Sequence, residues 1–132
     1  MTHRVFHLRD HHEGNAYAIP VTVEDTDGAI KELFAAKATY VIKETPSDDD
    51  INALVTKTGE ENIDEVEIEF NSPGDGQLTV YVETGDTAGH ISWESLPEDE
   101  RDTHDFHHRL DIEDQDGNLV TVFAGRLTVV NS

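Results

Sequence analysis

Short runs in which apolar and polar residues alternate, each closed by a turn signal after about 8–12 residues, leave this chain little choice but β-structure. Val66, Ile68 and Phe70 alternate with Glu67, Glu69 and Asn71, and Leu78, Val80 and Val82 alternate with Thr79, Tyr81 and Glu83. A period of two puts each apolar set on one face of a strand and its glutamates on the other. Ser72-Pro73-Gly74-Asp75-Gly76 between the two runs reads as the turn of a hairpin. The same pattern marks Ala16–Glu24, where Pro20 suggests a sheet edge, and Ala38–Lys43, which stops before Pro46. Ala53–Thr58 reads as a further strand. Phe106, His108, Leu110 and Ile112 share one face of another, and Gln115-Asp116-Gly117-Asn118 turns it towards Leu119–Phe123 and Leu127–Val130. Gly125 is expected to mark a bulge or a close backbone approach. Residues 85–102 read as a polar loop with at most one helical turn, and no helix of ten or more residues is expected. Near the start, Val5–Leu8 reads as an added strand and His11–Asn15 as a loop. The sum is one all-β domain over residues 1–132, an immunoglobulin-like antiparallel β-sandwich of seven to eight short strands, with 1–15 as an N-terminal arm.

Charge narrows the partners. The chain has 29 Asp+Glu against 9 Lys+Arg, a formal charge of −20, distributed over both halves. Such a surface repels phosphate backbones and anionic head groups, so neither nucleic acid nor a membrane surface is an expected partner. Lysine occurs at only four positions (Lys31, Lys37, Lys43, Lys57), and acids crowd the turns at Asp48–Asp50, Glu60-Glu61 and Glu98–Glu100. In molar salt the screening length falls to about 3 Å, which removes the self-repulsion while the carboxylates keep the surface hydrated. The composition resembles that of proteins from an extreme halophile, and adaptation to high salt is the expectation. There are no cysteines, which excludes disulfides, thiolate metal sites and cysteine nucleophiles. Met1–Phe6 lacks the apolar core of a signal peptide and no run approaches a membrane span, so the expectation is a soluble protein without a signal sequence.

The eight histidines are the one group that invites chemistry. His104, His107 and His108 lie close together, but in a strand His107 and His108 point to opposite faces, and no spacing supplies four converging zinc ligands. Asp25-Thr26-Asp27-Gly28 and Asp114-Gln115-Asp116-Gly117 resemble fragments of calcium loops without the full ligand set, and hairpin turns need Asp-Gly for their own geometry. There is no Gly-x-Ser-x-Gly elbow and no phosphate loop. No catalytic, metal-binding or cofactor-binding residue and no cofactor are assigned, and the expectation is a protein that is not an enzyme.

The order of segments carries a resemblance. His108–Asn118 followed by Val122–Val129, with Gly125-Arg126-Leu127-Thr128-Val129 as a Gly-x-Leu-Thr-Val last strand and Gly85–Ala88 before the preceding strand, resembles the closing hairpin of the immunoglobulin-like N-terminal domain of phage baseplate upper proteins. The similarity runs over most of residues 16–131. Asp105-Phe106-His107-His108 departs from it, standing where glycine and tyrosine are expected. With the halophile-like composition, the resemblance implies a structural protein of a tailed virus of a halophilic archaeon, in the tail or baseplate rather than the head. It would be located in the virion after assembly in the host cytoplasm, with other virion proteins and copies of itself as partners. Candidate contact regions are the arm Thr2–Gly14, the Trp93–Leu96 loop, whose tryptophan equally suits an end cap of the sandwich, and Asp105–Arg109. The alternative is a cellular ligand- or carbohydrate-binding β-sandwich module, and a third reading is a metal-dependent enzyme built on the histidines.

Overall fold

The computed structural model describes residues 4–5, 8–12, 17–24, 28–45, 53–61, 67–82, 91 and 93–130, with 4–5, 8–12 and 17 described as backbone. The strands are β1 (Arg4–Val5), β2 (Leu8–His12), β3 (Tyr17–Thr22), β4 (Lys37–Lys43), β5 (Val55–Glu60), β6 (Ile68–Ser72), β7 (Gln77–Val82), β8 (Thr103–Glu113) and β9 (Leu119–Val130). They form a three-stranded sheet ordered β3-β7-β6 and a larger sheet ordered β9-β8-β4-β5. Seven strands pair antiparallel, while β1 and β2 add in parallel to the outer edge of β9. The chain crosses between sheets from β3 to β4, from β5 to β6 and from β7 to β8, which is the connectivity of an immunoglobulin-like β-sandwich.

The alternation read from the sequence builds the core. Ile19, Leu78, Val80 and Val82 from the small sheet meet Tyr40, Ile42, Phe106, Leu110, Ile112, Phe123 and Leu127 from the large one, all buried. Ile68 is buried and Glu69 exposed, as the period-two pattern requires, with Phe70 half-buried. Between β6 and β7 a 3-10 turn at Pro73–Asp75 ends at Gly76, whose φ of 69° suits glycine. A Cβ there would lie 2.7 Å from the Lys31 carbonyl oxygen and 2.8 Å from that of Val23, so the turn also needs glycine for space.

Two edges of the sandwich carry features that hinder further strand addition. On one side β5 abuts β6: a Cβ on Gly59 would sit 2.9 Å from the Ile68 Cβ, and the Thr58 amide donates to Glu67 Oε2 at 3.2 Å. On the other, the pairing of Val23 N–H with the Gly76 carbonyl fixes the register so that Ala18, Pro20 and Thr22 direct their backbone groups away from β7. Pro20 thus places its missing N–H on the open edge, as the sequence suggested.

Several local expectations need correction. Backbone at His11 and His12 continues β2 rather than forming a loop, because it pairs with Val129 and Val130. Gly125 stands in regular register opposite His108. The irregularity falls three residues earlier: Leu110 faces Phe123 and Asp111 faces Thr121, which makes Val122 the extra residue. The loop before β8 holds two single 3-10 turns, Trp93–Ser95 and Glu98–Glu100, instead of at most one. Asp25–Asp27 and Asp48–Asp50 of the expected turns, Val66 and the Gly85–Ala88 stretch lie outside the described residues.

Candidate functional site

Two features stand out on this sandwich, one basic and one apolar. The basic one follows from register. On the outward face of the large sheet, Lys43 lies opposite His107 and His107 opposite Arg126, while Val41 lies opposite Arg109 and Arg109 opposite Ala124. Neighbours in such a row have Cβ atoms about 5 Å apart, and like charges placed so destabilise a sheet. Two adjacent rungs therefore gather three of the chain's nine Lys and Arg and one histidine on a protein of charge −20. A groove of about 100 Å³ opens here, lined by Val41, Lys43, His107, His108, Arg109, Ala124 and Gly125. Its small residues, Ala124 and Gly125, lie along β9. Around the groove the ion pairs are orderly. Arg109 Nε donates to Asp111 Oδ2 at 2.8 Å, Thr121 Oγ1 donates to Asp111 Oδ1 at 2.8 Å, and Arg126 lies 3.8 Å from Asp105.

The opposite face of β8 uses its histidines differently. His108 is 2% exposed and shares a 2.9 Å hydrogen bond between its Nδ1 and the Tyr40 hydroxyl, with the Phe123 ring 5.1 Å away centre to centre. It is a core residue whose polar atom is bonded to a second buried side chain, an arrangement that specifies packing. His104 bonds Glu44 at 2.7 Å and meets Phe106 edge to face. The three histidines of β8 thus have three separate sets of neighbours, and they do not converge. Among the described residues no group of three or more His, Cys, Asp or Glu is arranged to hold a metal ion. Asp114, one of the calcium-loop candidates, closes the β8–β9 turn. Its Oδ1 accepts from the amides of Asp116 and Asn118 at 3.0 and 2.9 Å, and Lys31 reaches its Oδ2 at 3.3 Å. These bonds, that of the Asn118 amide above all, hold its carboxyl below the ordinary aspartate value against an opposing desolvation.

The apolar feature was not singled out from the sequence. Between β3 and β4, Leu33 is fully buried while Ile30 and Phe34 on either side of it are each 50% exposed. Backbone bonds stitch this segment down: Lys31 N–H to the Val23 carbonyl at 2.9 Å, Leu33 N–H to that of Pro73 at 2.8 Å and Ala36 N–H to that of Leu33 at 3.1 Å. Ala35 has a φ of 57°, and its amide donates to Glu61 Oε1 at 2.9 Å. A non-glycine residue in this region costs about 1–3 kcal/mol. The Phe34 ring lies beside Gly74 and the Ile30 side chain beside Gly76, so both sit at the β6–β7 turn end of the sandwich. The sequence offered one signal, three bulky apolar residues within five positions and no period of either kind.

The regions proposed from sequence fare unequally. Trp93 and Leu96 pack partly buried against the core, and Arg101 fastens their turn through the carbonyls of Leu96 and Glu94 at 2.8 and 3.2 Å, so this loop caps the sandwich. Of the arm, the backbone of β1 and β2 is described, lying along β9. The outer face of the small sheet is a polar ladder: Asn71 bonds Glu69 and accepts from Thr79 at 2.7 Å, while Tyr81 donates to Glu69 at 3.3 Å. No protein-family model matches the sequence, and no curated protein does.

Proposed function

We propose that this chain is a non-enzymatic assembly module that docks to other proteins through one end of a rigid sandwich. The observation that carries this reading is the Ile30 and Phe34 pair, half exposed on a segment whose backbone is held by the four hydrogen bonds described above and strained at Ala35. On so acidic a surface, two bulky apolar groups held out to solvent suit a contact surface. The cost of the Ala35 conformation is of the kind found where a fold holds a functional segment in place.

The resemblance to baseplate domains and the halophile-like composition extend the proposal to a virion protein of a tailed virus growing in high salt, with neighbouring virion proteins and copies of itself as partners. Repetition of a small contact around a symmetric particle multiplies its strength. Sedimentation velocity in molar salt tests the self-assembly that this reading includes: the native chain sediments as a multimer, and Phe34→Asp as a folded monomer. A native chain that stays monomeric at every concentration would overturn that part of the proposal. The groove between Lys43, His107 and Arg109 favours a second reading, a small-ligand-binding module, which predicts a monomer with a saturable ligand.

A further inference from the structure

We infer that the groove on the outward face of β4, β8 and β9 receives the Phe34 ring of a second copy of this chain, so that copies join head to tail. The inference rests on the assembly proposal and names the surface that the Ile30 and Phe34 end meets. Knob and groove belong to one molecule but do not meet within it. Lys37, at the knob end, and Lys43, in the groove, are the two ends of the seven-residue β4, about 20 Å apart. The Phe34 ring lies beside Gly74 at the turn of the small sheet, whereas the groove opens on the outward face of the large one. A contact between them is therefore intermolecular and joins two different surfaces, the heterologous kind that closes into a ring or runs on as a filament.

Shape, chemistry and charge agree. Phe34 is half exposed on a segment whose backbone is already hydrogen-bonded in place, so its ring is presented with little left to order on binding. A cavity of roughly 150 Å³ takes a whole benzene molecule. The groove, at about 100 Å³, takes the exposed half of a phenyl ring. Ala124 and Gly125 leave its β9 side open, and buried Val41 gives it an apolar floor. Asp111 holds the Arg109 guanidinium through Nε at 2.8 Å, which fixes its plane. Stacking on an aromatic ring uses the face of that guanidinium, so its N–H groups stay with their own carboxylates. Charge points the same way. From Asp105 to Asp111 the outward rungs carry Lys43, Arg109 and Arg126 against Asp105 and Asp111, a positive surplus among the described residues of a chain of charge −20. Around the knob the surplus is negative: Glu24, opposite Ile30, and Glu32 and Asp75 are exposed, while Lys31 is paired with Asp114. Copies of so acidic a chain repel least where knob meets groove.

Two variants of the whole chain in molar sodium chloride separate the two surfaces. Phe34→Asp removes the knob, and Ala124→Leu fills the groove without changing charge. Each should keep the native melting temperature and sediment as a monomer where the native chain is a multimer. Ala124→Val, a smaller filling that suits a strand, repeats the test should leucine unfold the chain. Isotope-labelled Phe34→Asp, whose groove is intact, is then titrated with unlabelled Ala124→Leu, whose ring is intact. Nuclear magnetic resonance should show saturable shifts confined to the amides of residues 41, 43, 107–109 and 124–125, and unlabelled Phe34→Asp should produce none. A groove-filled variant that sediments like the native multimer would overturn this inference and leave the assembly proposal standing. Shifts that are absent, or centred elsewhere, would overturn it too, whereas a native chain monomeric at every concentration would remove both.

Discussion

At the scale of single residues, polar side chains with fixed partners organise the fold around its features. The buried pair Tyr40 and His108 ties β4 to β8 directly behind the groove, so the strands that carry Lys43, His107 and Arg109 are held in one register. Asp114 does the same for the β8–β9 turn. Its carboxyl is held below the ordinary value chiefly by the Asn118 amide, so the ionised form binds the folded state better than the unfolded one. That contribution is complete above the ordinary aspartate range, near pH 4, and is lost as pH falls through the lower folded value. Thermal melts across this range should therefore show Asp114→Ala less stable than the native chain at neutral pH, with the gap closing in acid. A gap of constant size would mean that the carboxylate contributes nothing through its charge.

Elements show where sequence reasoning reaches and where it stops. Period-two alternation identified the core faces of β6, β7 and β8, including the inward turn of His108, because pleating alone decides them. It did not reveal the parallel pairing of β1 and β2 on β9, since local sequence carries no mark of which distant strand will accept it. Nor did it place the bulge at Val122, for which no glycine is needed. The groove was hidden for a related reason: positions 43, 107, 109 and 126 become neighbours only through the order β4-β8-β9. Pro20, by contrast, was legible and has a consequence at this scale. Pro20→Thr restores an outward N–H at the middle of the β3 edge, and the variant should keep its fold while aggregating faster in light scattering. If scattering is unchanged, the edge is protected by something other than the proline.

For the whole molecule, charge governs behaviour. A formal −20 on 132 residues opposes the compact state wherever screening is weak. Transfer from molar salt to ~0.1 M salt should lower the melting temperature, as the screening length rises from about 3 to 10 Å. A melting temperature indifferent to salt would count against adaptation to brine. The same charge bears on assembly, since copies that repel one another at low salt can bring the Ile30 and Phe34 ends into contact once salt is molar. The proposed place of that contact is a virus particle. Immunogold electron microscopy, with antibody to this chain applied to purified particles and to host cells, tests the proposal most directly. Gold at one defined position on the tail or baseplate is the predicted result, whereas labelled cells beside bare particles would contradict the virion assignment.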